Sequence, residues 1–443
     1  MNFQNGRQNR NAKHLAPRPP MGWNSYDCYG CSVREAEVRA NAEYMAQWLS
    51  DFGWQTVVVD GEWADPEILA GGCRKNAVLM IDEYGRLVPA TNRFPSTAGG
   101  QGFKPLSDYV HSLGLQFGIH IMRGIPRLAV KRNLPILGPD YRAREIANPS
   151  STCRWNTDMY GVDMEKPGGQ AYYDSIVKLY AGWEVDFIKA DDMVYPFHPD
   201  EIAALSRAIE KSGREILLSL SPGRSQDLQT PNPEKVAFLS QHSEMWRISD
   251  DVWDRWEDLK HQFVLFNLWS SYAGPGHWPD GDMLPLGRIG TRAPIGSDRT
   301  PRFTHDEQVL LMSLWCIARS PLMFGGDLPS LDDFTLSLLT NQEVLAVNQT
   351  ATSSRQLFRN GDQVAWLAEL PGDQGRALAL FNLSDDKEER LRVRLADIGL
   401  AGPCTGRDLW QGKTLENVET ELTCQIKAHS SRLFRISPLS NIG

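Results

Sequence analysis

Residues 187–195 read FIKADDMVY. An apolar run closes on Lys189, Ala190 and two neighbouring carboxylates, Asp191 and Asp192. Side by side, two carboxylates repel each other and resist burial. A buried strand that ends on both therefore needs a use for at least one of them. Neighbouring side chains on a strand leave opposite faces. One of the pair can face a site, the other needs a partner elsewhere, and the two cannot act together as a catalytic couple.

Strands of this type recur. TVVVD (56–60) is a β-branched run ending on Asp60. Before it, Val38, Ala42, Met45 and Leu49 repeat at helical spacing and Gly53 supplies a stop. Ser32 and Glu35 stand at capping-box spacing ahead of that helix. A helix over 105–113 leads to FGIHIM (117–122), and one around 170–182 leads to the opening stretch. Pro199 begins a helix that runs to Gly213, followed by EILLSLS (215–221). MWRIS (245–249), a helix over 253–270, AGPGHWPDGDML (273–284), a helix near 306–319 and SPLMFGG (320–326) complete the series.

Strands near 21, 57, 118, 187, 217, 246, 275 and 322 lack polar alternation, so both of their faces are covered, as in a parallel sheet. Eight such units predict an α/β fold, a (β/α)8 TIM barrel over 16–350, with a doubly wound open sheet as the alternative. After NQEVLAVNQ (341–349) come short alternating segments, among them QVAWLAEL, ALALFNL and SRLFRI. They predict an antiparallel β-sandwich over 351–443. The first 15 residues read as a disordered tail.

Composition narrows the function. A net charge of −9 in 443 residues gives no basic stripe for nucleic acid. No apolar stretch reaches the roughly 20 residues of a membrane span. The polar N-terminus has no secretion-signal core, which fits a cytoplasmic protein or an exported one whose signal is absent from this sequence. Cys28 and Cys31 lack a second pair at zinc spacing, and most of the seven cysteines read as free buried thiols, with a Cys404–Cys424 bridge left open. N-Q-T at 348 and N-L-S at 382 match the glycosylation pattern. Nothing marks a protein partner or an oligomeric state. Fourteen tryptophans and 12 tyrosines suit a cleft that stacks on sugars.

In such a barrel, chemistry gathers at the C-terminal strand ends. There the sequence sets Trp23 with Asn24, Asp60, His120, Lys189 with Asp191, Ser219 with Ser221, Arg247 with Asp250 and Asp251, and Asp280 with Asp282. Any one of these acids is explained as well by helix capping. Acids at four or more ends of one barrel converge on one mouth. Carboxylates with Trp, Arg and Lys, and neither a metal cluster nor a phosphate loop, suit retaining glycoside hydrolysis, which uses one carboxylate as nucleophile and one as acid/base.

PPMGWNSYDCYG, VVVDGEW, FGIHI, DFIKADDM, WRISDD, WPDGDML and EQVLLMSLWCIARSPLMFGGDL, in this order over about residues 18–350, resemble glycoside hydrolase family 27, the α-galactosidases and α-N-acetylgalactosaminidases. The resemblance implies a retaining exo-glycosidase for terminal α-linked galactose-like sugars of an oligosaccharide or glycoconjugate, needing no cofactor and no metal. The family's K-x-D motif matches Lys189 to Asp191, making Asp191 the nucleophile. Its acid/base, four residues after an arginine, becomes Asp251 after Arg247. Lys189 and Arg247 would bind sugar hydroxyls, Asp60 is the first of two paired sugar-binding aspartates, and Trp23 is the pocket-floor tryptophan. Asp282 and Met283 match the D-P-D-M-L motif, read here as D-G-D-M-L.

Three departures concern specificity. The second paired aspartate is Gly61, followed by Glu62 as a substitute; His120 stands where the family often has tyrosine; and the fifth strand brings Ser219 and Ser221 in SLSPG. The small serines favour α-N-acetylgalactosaminidase activity, and the altered Asp60–Gly61–Glu62 turn favours β-L-arabinopyranosidase. Two further classes are a Schiff-base aldolase built on Lys189 and a non-catalytic sugar-binding barrel, against which the retention of both Asp191 and Asp251 speaks.

Overall fold

The computed structural model describes residues 12–138, 140–223, 230–372 and 375–439. The expected tail lies outside the described residues up to position 11, and Ala12–Leu15 form a helical turn. Eight parallel strands follow: β1 (Met21–Asn24), β2 (Thr56–Val59), β3 (Gln116–Met122), β4 (Phe187–Asp191), β5 (Leu217–Leu220), β6 (Met245–Arg247), β7 (Trp278–Asp280) and β8 (Leu322–Phe324). Their order is β7-β6-β5-β4-β3-β2-β1-β8, and a parallel bridge between Leu284 and Phe324 joins the two ends of the sheet. This is the TIM barrel expected, and the open doubly wound sheet is set aside.

Strand alternation sorts the side chains of β4. Ile188 and Ala190 point outward into the large core shared with the helices. Phe187 points inward, where it packs with Ala16, Val58, Met245, Trp278, Met283 and Met323 as an apolar plug. The Trp278 indole N–H donates to the Ala16 carbonyl at 3.0 Å, fastening the incoming chain across the bottom of the barrel. Above the plug the inward residues Lys189 and Asp191 are polar. The register fixes their level, with His120 beside Lys189, Met122 beside Asp191, and Arg247 beside Asp280.

Two local readings change. The helix after β1 is α1 (Glu35–Trp48), and Glu37, not Glu35, accepts from the backbone N–H of Arg34 in front of it. Ser32 instead donates to Tyr29 O, while Glu35 accepts from Ser96 N and pairs with Arg39. The seventh strand starts at Trp278, later than expected, because Gly274–His277 form a tight turn with Gly276 at φ +90°.

Among the described residues all seven cysteines are free thiols, so Cys404 and Cys424 do not bridge. Asn348 and Asn382 are fully buried and donate to backbone carbonyls, which closes both glycosylation patterns. No described helix is long and apolar enough to cross a membrane.

The C-terminal strands are β9 (Thr352–Asn360), β10 (Gln363–Glu369), β11 (Arg376–Asn382), β12 (Glu389–Arg394), β13 (Cys404–Asp408), β14 (Lys413–Val418), β15 (Glu421–Ile426) and β16 (Ser430–Pro438). They form an antiparallel sheet ordered β9-β10-β11-β16-β13-β14, faced by the β12–β15 pair. Period-two patterning divides β10: Ala365 and Leu367 fill the sandwich, whereas Val364, Trp366 and Ala368 join the barrel core.

Candidate active site

Asp60, His120, Lys189, Asp191, Arg247 and Asp251 line one cavity of about 710 Å³ at the C-terminal ends of the barrel strands. Its floor is a saturated charge network. Asp60 Oδ2 accepts from Lys189 Nζ at 2.8 Å and from Asn24 Nδ2 at 2.7 Å, and Oδ1 accepts from Gly61 N. Burial pushes the Asp60 carboxyl up, but Lys189, His120 and these hydrogen bonds prevail and hold it well below the carboxylate range. Burial likewise opposes the Lys189 charge, and Asp60 and Asp191 outweigh it, keeping the ammonium protonated.

Asp191 Oδ2 lies 3.1 Å from His120 Nε2, and Oδ1 accepts from the backbone N–H of Asp192 at 3.1 Å. Both oxygens are thus oriented, on a side chain 13 % exposed. Arg247 is buried between two acids. Nη1 meets Asp282 Oδ1 at 2.5 Å and Nη2 meets Asp251 Oδ1 at 3.3 Å. Burial disfavours its charge, but Asp282, Asp251 and their neighbours hold the guanidinium firmly protonated. Burial and the nearby Asp251 and Asp280 raise the Asp282 carboxyl against the pull of Arg247. Asp251 stands apart with a side chain 50 % exposed, at the mouth.

Asp192 faces away from the cavity. Arg123 takes it through Nε at 3.0 Å and Nη2 at 2.7 Å, and also reaches Glu201 at 2.5 Å, which accepts from the Tyr173 hydroxyl. The Arg123 backbone N–H donates to the Asp191 carbonyl at 3.1 Å. Asp192 adopts φ +60°, so the chain turns sharply straight after Asp191. The second acid of FIKADDMVY belongs to the scaffold that aims the first.

Six expected contacts do not border this cavity. Trp23 is fully buried, its indole spent on Gly326 O. Glu62, at φ +55°, turns behind the wall to accept from Asn156, so it does not replace the missing acid at Gly61. Ser219 and Ser221 are buried, and their neighbour Pro222 borders the cavity instead. Met283 points into the apolar plug, and Asp282 acts through Arg247.

The cavity adds residues the sequence reading passed over: Tyr26, whose ring lies under Lys189 Nζ at 5.7 Å, Trp253 beside it, and Arg154, Trp155 and Ile295 at the rim. Tyr26 sits in the quoted PPMGWNSY motif and was within reach of that reading. The rim residues lie in loops without periodicity. Away from the cavity, three described side chains with metal-ligating atoms converge at Asp108, His111 and Glu184 on the outer surface, where Lys104 pairs with both carboxylates.

Two family models match the chain, Alpha galactosidase A over residues 157–350 and Alpha galactosidase C-terminal beta sandwich domain over residues 360–436. Alpha-galactosidase 2 of Arabidopsis thaliana is 28% identical over 430 residues, covering 96% of this chain and 90% of that protein. A family 27 β-L-arabinopyranosidase structure from Geobacillus stearothermophilus is 49% identical, covers 98% of this chain and 99% of its own, and has a TM-score of 0.93. A Bacillus halodurans structure assigned as an α-N-acetylgalactosaminidase is 47% identical over 95% of this chain and 97% of its own, with a TM-score of 0.84. A carboxylate-lined barrel mouth with such relatives is that of a retaining glycoside hydrolase, whose substrate is a carbohydrate. The chain belongs to glycoside hydrolase family 27.

Proposed function

We propose that the cavity removes a terminal β-L-arabinopyranosyl residue, which has the ring configuration of an α-galactoside without the hydroxymethyl group. Asp191 attacks the anomeric carbon and forms a covalent glycosyl-enzyme, and Asp251 protonates the departing oxygen. Asp251 then deprotonates the water that releases the sugar with retained configuration. Lys189 and Arg247, both held as cations, border the same cavity as Asp191 and can bind the sugar's hydroxyls. The exposure of Asp251 suits a group that must meet both leaving group and water.

The observation that carries the choice of sugar is Gly61. It borders the cavity beside Asp60 with no side chain, and a Cβ there would stand 3.3 Å from Cys31 Sγ and 3.7 Å from the His120 ring. Glu62 is occupied elsewhere. A hydroxymethyl group placed in this corner finds only Asp60, whose oxygens already accept from Lys189, Asn24 and the Gly61 N–H, and an unpaired buried hydroxyl is costly. The pentopyranose has no such group to satisfy. The 49% identity to an arabinopyranosidase points the same way. The N-acetyl alternative loses its particular support, since Ser219 and Ser221 do not border the cavity.

The test is turnover of p-nitrophenyl β-L-arabinopyranoside, α-galactoside, α-N-acetylgalactosaminide and α-glucoside. We expect kcat/KM for the arabinopyranoside to exceed that for the galactoside about tenfold or more. A galactoside preference would reject this choice of sugar. Asp191→Ala should lose several orders of magnitude on every substrate. Asp251→Ala should lose about 10²- to 10⁴-fold on alkyl glycosides and far less on dinitrophenyl glycosides, which leave without a proton. Equal losses on both leaving groups would remove Asp251 from the acid role.

A further inference from the structure

Asp251 is loosely held for a group that has to place a proton on one oxygen. Its side chain is 50 % exposed, and its ion pair with Arg247 is 3.3 Å long. The segment that carries it, 248–255 between β6 and the helix Trp256–Trp269, has no strand or helix of its own. Its place is therefore set by side-chain anchors. On the inner side Asp282 Oδ2 accepts from the Val252 N–H at 2.8 Å. On the outer side the anchor is Asp254, which does not border the cavity and whose side chain is fully buried.

Asp254 meets Arg299 in a fork: Nε donates to Oδ2 at 2.9 Å and Nη2 to Oδ1 at 2.5 Å. The Arg302 backbone N–H adds a bond to Oδ2 at 2.9 Å. Burial pushes the Asp254 carboxyl up, but these bonds and the two guanidinium charges prevail and hold it below its usual range. The third Arg299 nitrogen, Nη1, donates to the Ile295 and Ser297 carbonyls at 3.1 Å and 2.9 Å. Gly290 and Gly296, at φ +75° and +77°, make room for it, since a Cβ on them would stand 2.6 Å and 2.5 Å from Nη1. One guanidinium thus joins the acid/base segment to the connection between β7 and β8. Both sides of that joint reach the cavity, through Asp251 and Trp253 on one and Pro294 and Ile295 on the other.

From this we infer that Asp254 and Arg299 are positioning residues for the acid/base, and that their fork fixes where Asp251 stands in the mouth. The inference rests on the proposed role of Asp251. Two parallel bonds fix direction as well as distance, which a single contact does not. Misplacing a catalytic group by about 1 Å costs on the order of 10²-fold. With so little holding Asp251 directly, a loosened segment carries it out of place.

Loosening the fork acts on the steps that need Asp251. An alkyl leaving group needs its proton, whereas dinitrophenolate leaves unaided. The measurement is kcat/KM on methyl and dinitrophenyl β-L-arabinopyranosides for wild type, Asp254→Asn, Arg299→Met and Arg299→Lys. The methyl-to-dinitrophenyl ratio should fall about tenfold or more in the first two variants. It should fall about threefold in Arg299→Lys, which keeps the charge without the fork. General damage to packing would lower both substrates alike and leave the ratio in place. Asp254→Asn combined with Arg299→Met should lower the ratio no further than the larger single change, because both cut the same link.

Azide gives a second readout, since it attacks the glycosyl-enzyme without help from a base. Glycosyl azide of retained configuration should form in larger yield in Asp254→Asn and Arg299→Met than in wild type. Folded variants with the wild-type ratio and the wild-type azide yield overturn the inference. So does a wild-type ratio in Arg299→Lys should the other two fail to fold. A wild-type ratio in Asp251→Ala itself would instead refute the acid role beneath the inference.

Discussion

Asp158 is buried behind the His120 wall of the cavity, facing Glu62, and neither of its oxygens accepts a hydrogen bond from a described residue. Burial first, then the Glu62 carboxylate, push its pKa up to about 7. An unfolded aspartate titrates near 3.9. The folded state therefore holds this proton more tightly than the unfolded chain does. The stability so gained is complete below about pH 4 and drains away as the pH climbs to 7. Asp158→Asn keeps the neutral shape and removes the titration. Relative to wild type, its Tm should rise by several degrees between pH 5 and pH 8, and parallel melting curves would refute this. None of this was readable in the chain, where Asp158 is one acid in an aperiodic loop. Asp60, Lys189 and Asp191 were legible because each ends a strand whose apolar run announces it. Trp23 and Met283 misled because strand-end position alone does not tell inward from outward or upper from lower.

The ends of β3 and β4 behave as one element. Arg123 holds Asp192, Glu201 and the Asp191 carbonyl together, spanning the turn that presents the carboxylate at the mouth. Replacing it by methionine leaves two buried carboxylates with no cation, and breaking a buried pair in this way costs about 3–5 kcal/mol. Arg123→Met should show that loss in urea unfolding; a loss under about 1 kcal/mol would mean that the cluster relaxes to water. FIKADDMVY demanded a partner for Asp192, and the strand frame was legible around it. Which cation answered was not, because Arg123 opens the stretch between β3 and the helix Pro167–Gly182, which folds into short helices and short strands with no repeating pattern to read.

At the scale of the whole chain, barrel and sandwich share a core. Trp366, Phe381 and Leu433 pack with barrel residues, Phe381 meets Phe263 edge-on at 4.9 Å, and the Trp410 indole donates to Ser313 on the helix His305–Ala318. Phe381→Ala should cost about 3–5 kcal/mol and lower the temperature at which activity is lost together with the unfolding transition. Activity surviving past the sandwich's melting would show the two parts to be independent. The change of pattern near residue 350 revealed the sandwich in the sequence, but the face it turns to the barrel emerged only from the pairing.

The chain enters beneath the barrel, with Ala16 sealed into the apolar plug and its carbonyl held by Trp278 and by the Gly276 backbone N–H. Whatever is joined ahead of Ala16 therefore leaves from the end opposite the mouth. Beads, electrodes or fusion partners attached there would hold the enzyme with its opening toward the liquid, so a catalyst immobilised through its leading end keeps its entrance clear for the carbohydrate.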